Sequence, residues 1–339
     1  MIKSTWAWLI PLLIVTATLP KIVPGSFALT LLIFISLYSM AALGLQLLMG
    51  YAGQISIGQG AFFGIGAYAY GILAAKHGLP PWLALVAAAL INVAVAYLIG
   101  KPILRLLGHQ LALATLAFGI IMASIFAQAS GLTGGAIGLG AIPNLSVGTF
   151  AFNSDLRSAY LAEGFAVAAL LLSHNVMRSR VGRALQALKA SEAAAESLGV
   201  DVAGHKLHIF ACSALLSSLA GSLYAAYLTY ISPDAFTIFL SIEVLLMAAV
   251  GGIATVWGAP VGAAAIFLLR ELLDRVSKNL PSGTEAILQG VIFGLILVLI
   301  MILAPNGLTR AILDGVRKGR GAASSLSSPS YRSSHRSSA

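Results

Sequence analysis

Gln54, Ser56 and Gln59 stand within six residues of one another, in a stretch otherwise made of glycine and apolar residues. Amides and a hydroxyl of this kind supply neither a nucleophile with its base nor a metal cage. They can trade hydrogen bonds with a passing polar solute. In lipid they can equally satisfy freed backbone groups or bond to a neighbouring helix. Both readings stay open on the residues alone. Glu243 and Thr255 are polar residues of a second such stretch, and Glu243 reads as the only carboxylate well inside an apolar run. An ionised group there costs at least about 2.5–3.5 kcal/mol, so it must face protein or water. It either gates a path or is a paired structural carboxylate.

Covalent chemistry is missing from the pattern. No cluster of Asp, His or Cys has catalytic or metal-ligand spacing, so no catalytic residue, metal or cofactor is assigned to this chain. There is no Gly-x-x-x-x-Gly-Lys-Ser/Thr phosphate loop, so ATP is not held here in that way. A single cysteine, Cys212, rules out an internal disulfide framework. Arg270 with Asp274, and Glu271 with Arg275, are i,i+4 pairs expected to neutralise each other at a membrane interface.

The two polar stretches are copies. Leu47 to Ala67 aligns without gaps to Leu245 to Ala265, 198 residues further on, with 9 of 21 positions identical. Composition alone gives roughly two or three matches. Gly53, Gly58 and Gly60 punctuate the first copy, and Gly251, Gly252 and Gly258 the second. Paired hydrophobic segments interrupted by glycine or proline point to a transport path. The expectation is two broken helices, with Gln54, Ser56, Gln59, Glu243 and Thr255 as candidates for lining the path. By hydropathy the copies are six spans apart and therefore parallel, whereas an inverted repeat needs an odd separation.

The elements that must hold these residues follow from composition. The chain has 339 residues, 59% hydrophobic and 9% charged, against about 25% charged in soluble domains. With a mean hydropathy of +0.94, its solvent must be lipid. The fold class is all-α and polytopic, with about ten transmembrane helices near 6–22, 27–48, 58–75, 82–100, 111–130, 159–175, 207–231, 238–256, 258–276 and 285–303. The basic loops and tails carry 14 of the 20 Lys and Arg, and alternating crossings put them on one side. That side is cytoplasmic, with both termini there. A permease-like membrane domain is expected over 1–305 and a cytoplasmic tail over 306–339, whose last 19 residues hold nine serines and read as disordered from 321.

Residues 177–206 form the longest non-spanning stretch on the basic side. Leu185, Leu188, Ala195 and Leu198 share one face of a helix, and Gly199 is a natural stop. This segment is either a membrane-surface helix or a coupling element that docks on a cytoplasmic partner. Arg183, Leu185, Leu188, Glu192, Glu196 and Gly199 are its candidate contact residues.

In order along the chain, Gly44 to Tyr68, Leu113 to Phe118, Leu132-Thr133-Gly134-Gly135, Gly182 to Leu188, Tyr230 to Asp234 and Ser241 to Met247 resemble the LivM-type permease of branched-chain amino acid ABC importers. The resemblance covers about residues 27–310. Gln59 stands where that family often has His, and Ala136-Ile137 where it more often has Pro-Asn. Glu192-Ala193-Ala194 resembles the loop by which such permeases contact their ATPases, with four residues before Gly199 in place of the usual three. The resemblance implies a bacterial inner-membrane subunit with no enzyme activity of its own. Its partners would be a second homologous permease, two cytoplasmic ATPase subunits and a periplasmic solute-binding protein. Urea or short amides are an alternative solute class, and an ion-coupled secondary transporter is an alternative mechanism.

Overall fold

The structure is a computed structural model that describes residues 25–277, apart from 107, 148 and 149, together with residue 20 and scattered positions between 292 and 309. The expected first span at 6–22, most of the expected last span at 285–303 and the serine-rich tail lie outside the described residues.

Each expected span on the described residues carries a helix. They are α1 (Ser26–Gln46), α2 (Gln59–Gly71), α3 (Pro81–Ile103) and α4 (His109–Gln128), followed by a single turn, α5 (Ser130–Thr133). After these come α6 (Asp155–Arg178), α7 (Arg180–Ala190), α8 (Glu192–Ser197), α9 (Val202–Leu228), α10 (Ile238–Gly251) and α11 (Gly258–Ser277). Beside the helices, a two-residue antiparallel pair joins β1 (Ser146–Val147) to β2 (Phe150–Ala151). Among the described residues, five helices are long and apolar enough to cross a membrane: Ser26–Tyr51, Pro81–Ile103, His109–Gln128, Asp155–Arg178 and Val202–Leu228. The 19-residue span expected at 238–256 is shorter, because Gly252 at φ 108° cannot continue a right-handed helix.

Two ends of the bundle are defined by contacts. At one end, Tyr70 Oη donates to Pro143 O at 2.8 Å, Trp82 Nε1 to Ser146 O at 2.9 Å and Asn144 Nδ2 to Ala226 O at 2.9 Å. Leu139 and Ile231 add a backbone bridge there. The basic end gathers the close of α1, the helices α7 and α8, and the first turn of α9. Ser179, Ser191 and Asp201 cap the N-termini of α7, α8 and α9 by accepting from Val181, Ala194 and Gly204 backbone N–H groups. Each cap contributes on the order of 1 kcal/mol and fixes a corner of the chain.

The middle of the bundle is α9, packed along α1, α2 and α3. Its buried stripe is small and hydroxylic, with Ser213, Ser217, Ser218 and Ser222. Small residues let backbones approach, and interhelical hydroxyl bonds then hold the contact. Ser222 Oγ donates to Gly66 O at 3.0 Å across the α2–α9 seam. Two residues further along α2, Tyr68 stacks on Phe126 with centroids 4.7 Å apart, and Phe236 meets both rings.

Candidate functional site

Helix α1 does not end cleanly. It loosens into a π turn over Leu47–Tyr51, and the chain then runs without helix from 53 to 58 before α2 begins. Gly53 takes φ 69° at the turn. The backbone groups freed here find partners one by one, as interior non-helical chain requires. Gln54 N donates to Leu48 O at 3.1 Å and Ile57 N to Thr115 Oγ1 at 3.0 Å. Gly58 N donates to Ser56 Oγ at 3.4 Å, and Gly60 N to Ser241 Oγ at 2.9 Å. Thus α4 and α10 both contribute to closing the first break.

The side chains divide by role. Gln59 gives its Nε2 to Ser213 Oγ at 2.5 Å and accepts from Ser217 Oγ at 2.7 Å. Only 2% exposed, it is glue between α2 and α9, with both amide atoms engaged in this conformation. Ser56 serves the backbone of its own loop. Gln54 differs: it is 4% exposed, and neither its Oε1 nor its Nε2 has a partner among the described residues.

The second break is tighter. After Gly251 and Gly252 the chain turns in five residues, and Thr255 Oγ1 donates to Gly252 O at 3.2 Å. Gly251 lies against the Gly258 carbonyl, and a methyl on Gly262 would run into the Met247 carbonyl, so α10 and α11 form a close hairpin. Glu243 and Arg270 bridge this hairpin at 3.0 Å. Glu271 pairs with Arg275 at 2.6 Å as its spacing predicts, whereas the guanidinium of Arg270 reaches across to Glu243. Glu243 thus has a cationic partner in Arg270.

The breaks meet. Gln46 Nε2 lies 3.4 Å from both Ala248 O and Gly252 O. A methyl on Gly50 would strike the Ile253 carbonyl. Both copies therefore reach their breaks at the same end of the bundle, and both run away from it afterwards. Thr309, expected in the tail, is buried here and donates to Gly251 O at 2.6 Å.

The segment expected to couple sits directly below. Leu185, Leu188 and Ala195 are 0%, 2% and 1% exposed. Leu185 and Leu188 face the bundle, so as contact residues for a partner they are corrected to anchors: side chains without surface cannot touch another protein. The outward side carries Arg183, Glu196, Gly199 and Leu198, the last 81% exposed. Glu192 is held by Lys206 at 2.6 Å, and Lys189 Nζ donates to Gly50 O at 2.7 Å.

Residues 27–301 match the family described as branched-chain amino acid transport system / permease component. The chain belongs to this family. The high-affinity branched-chain amino acid transport system permease protein LivM of Salmonella typhimurium is 30% identical over 295 residues, covering 80% of this chain and 67% of the relative. LivM of Escherichia coli is 30% identical over 310 residues, covering 85% and 71%. A probable branched-chain amino acid transport permease protein LivH of Methanocaldococcus jannaschii is 25% identical over 291 residues, covering 82% and 90%. No solved structure matches.

Within this permease family member, several site residues escape a reading of the sequence. Gln46 precedes the first break and looks like one more helix residue, yet it is fully buried against the second. Thr115 and Ser241 are lone hydroxyls and Ser213 and Ser217 two of the α9 serines, 58 to 181 residues from the groups they satisfy. Glu163 is a second carboxylate inside a helix long enough to span, 6% exposed, with Oε2 unpartnered among the described residues. A count of charges along that helix is the signal that would have found it.

Proposed function

We propose that this chain is the membrane-spanning permease subunit of an ATP-driven importer for branched-chain amino acids. The observation that carries the reading is the stacking of three features at one end of the bundle: two facing helix breaks, with a capped, outward-facing segment seated on the first. An importer needs such an arrangement, because force applied from the cytoplasm must reach the place where a path can open.

A branched-chain amino acid is a zwitterion with an apolar side chain. A passage for it needs apolar walls and few, weak polar contacts, since tight binding would slow release. Gln54 supports this role, because its buried amide has hydrogen bonds to give and none to lose. Ser56 and Thr255 then hold the backbone of the two breaks, while Gln59 ties α2 to α9 and Glu243 ties α10 to α11. About ten spans, an inner-membrane location and cytoplasmic termini complete the reading. A second permease stands beside the chain, two ATPase subunits below and a periplasmic binding protein above.

The test is reconstitution in liposomes with those partners. Leucine, isoleucine and valine are expected to enter only with ATP and loaded binding protein. Uptake of urea or acetamide in their place would overturn the solute. Uptake driven by a proton or sodium gradient without ATPase would overturn the mechanism.

A further inference from the structure

Two contacts converge on one glycine, and a third lies three residues on. The Gly50 carbonyl accepts from Lys189 Nζ at 2.7 Å. The other face of Gly50 lies against the Ile253 carbonyl of the second break. Three residues on, Gly53 lies under the lysine stem, where an added Cβ would stand 3.3 Å from Lys189 Cγ. Among the described residues, the Lys189 bond is the one polar tie from α7 or α8 to either break.

We propose that Lys189 is the positioning residue through which movement of the 180–198 segment reaches both breaks, with Gly50 as the shared contact. The proposal rests on the importer reading above. Gly50 belongs to the π turn that closes α1, where helix carbonyls lose their internal donors and welcome a cation. A bond from an ammonium is stronger than one between neutral groups, so it pulls as well as positions. Lysine also suits a moving joint, because a compact charge with three donors keeps its attraction as the angle changes. At its other end the lysine is carried by a stiff lever. Leu185 and Leu188 are buried beneath α7, and Glu192 is fastened to Lys206. A push on the exposed face at Leu198 therefore moves α7 as a body and Gly50 with it. Gly50 cannot yield independently, because Gln46, one turn before it, is bonded to the second break and Gly50 itself is packed on the Ile253 carbonyl.

The test compares the full complex carrying the native chain with Lys189→Met, which keeps the apolar stem and removes the ammonium. Assembly with the ATPases and ATP turnover should persist, while leucine imported per ATP hydrolysed falls about tenfold. Lys189→Arg should restore most of the ratio. Spin labels at Ile55 and Ala254, both exposed, should show an ATP-dependent distance change in the native chain that Lys189→Met loses. An unchanged ratio of solute to ATP overturns the proposal and leaves the importer reading intact. Loss of assembly in step with loss of uptake also overturns it, since the bond would then be only structural. Failure of the native complex to import with ATP overturns the importer reading itself, and this proposal with it.

Discussion

Lys206, the fifth residue of α9, joins Glu192, at the start of α8, at 2.6 Å, with the lysine side chain 8% exposed and the glutamate 46%. The asymmetry in burial makes an asymmetric prediction. Glu192→Ala leaves a nearly buried ammonium without its partner and should cost about 1–3 kcal/mol. Lys206→Met removes the buried charge and keeps the stem, and should cost less than about 1 kcal/mol. Thermal unfolding of the purified protein in detergent reads the order. If Lys206→Met is the worse of the two, the pair is not what fastens the segment.

The two glutamines of the first break should separate stability from transport. Gln59→Leu strands the hydroxyls of Ser213 and Ser217 and should cost about 1–2 kcal/mol. Gln54→Leu removes an amide with no partner, so stability should hold or rise, because burying such a group costs about 1–3 kcal/mol. Uptake is expected to behave in reverse, with Gln54→Leu the more impaired in its maximal rate per assembled complex. Equal uptake in the two variants would remove Gln54 from the path.

Much of this was open to a reader of the sequence, and the reason is physical. Hydropathy measures the cost of leaving lipid, so it locates spans such as 82–100 and 111–130 to within a few residues of α3 and α4. Glycine clusters mark where helices stop, so both breaks are visible too. What hydropathy does not carry is direction. It gives Leu185 and Leu198 similar standing on one face, and only packing makes the first an anchor and the second a knob. Nor does an averaged window register a lone Glu163 or distinguish Gln59, with two partners, from Gln54, with none.

That distinction predicts how a partner ATPase responds. Leu198→Asp, on a side chain that is 81% exposed, should abolish capture of the ATPase while the permease keeps its own thermal stability. Leu185→Asp puts a charge where there is no exposed surface and should destabilise the permease by more than about 3 kcal/mol. A pull-down beside a thermal scan checks both. Full ATPase capture by Leu198→Asp would move the docking surface elsewhere.

Tight glycine contacts at the hairpin give a controlled comparison. Gly262→Ala pushes a methyl toward the Met247 carbonyl and should cost about 1–3 kcal/mol as α10 and α11 are forced apart. Gly164→Ala, in α6 with nothing within 4 Å, should be neutral or stabilising by up to about 1 kcal/mol. A thermal scan in which the two variants behave alike would show that the hairpin is looser than its contacts imply.

Glu243 offers the discriminating substitution for mechanism. Its carboxylate is engaged by Arg270, so Glu243→Gln should leave at least about half of ATP-driven uptake and make it no more sensitive to a proton gradient. Transport that disappears in Glu243→Gln while the protein stays folded would return this residue to the path.

The hydroxyls that close the first break also impose an order of events at the ribosome. Gly60 waits 181 residues for Ser241, Gln59 waits 154 for Ser213, and Ile57 waits 58 for Thr115. While α1 and α2 are already in the bilayer, their bare amides must be met by water or lipid headgroups. The early half of the chain is therefore finished only by the late half. A nascent chain halted before α10 should lack a settled first break, however complete its own helices are.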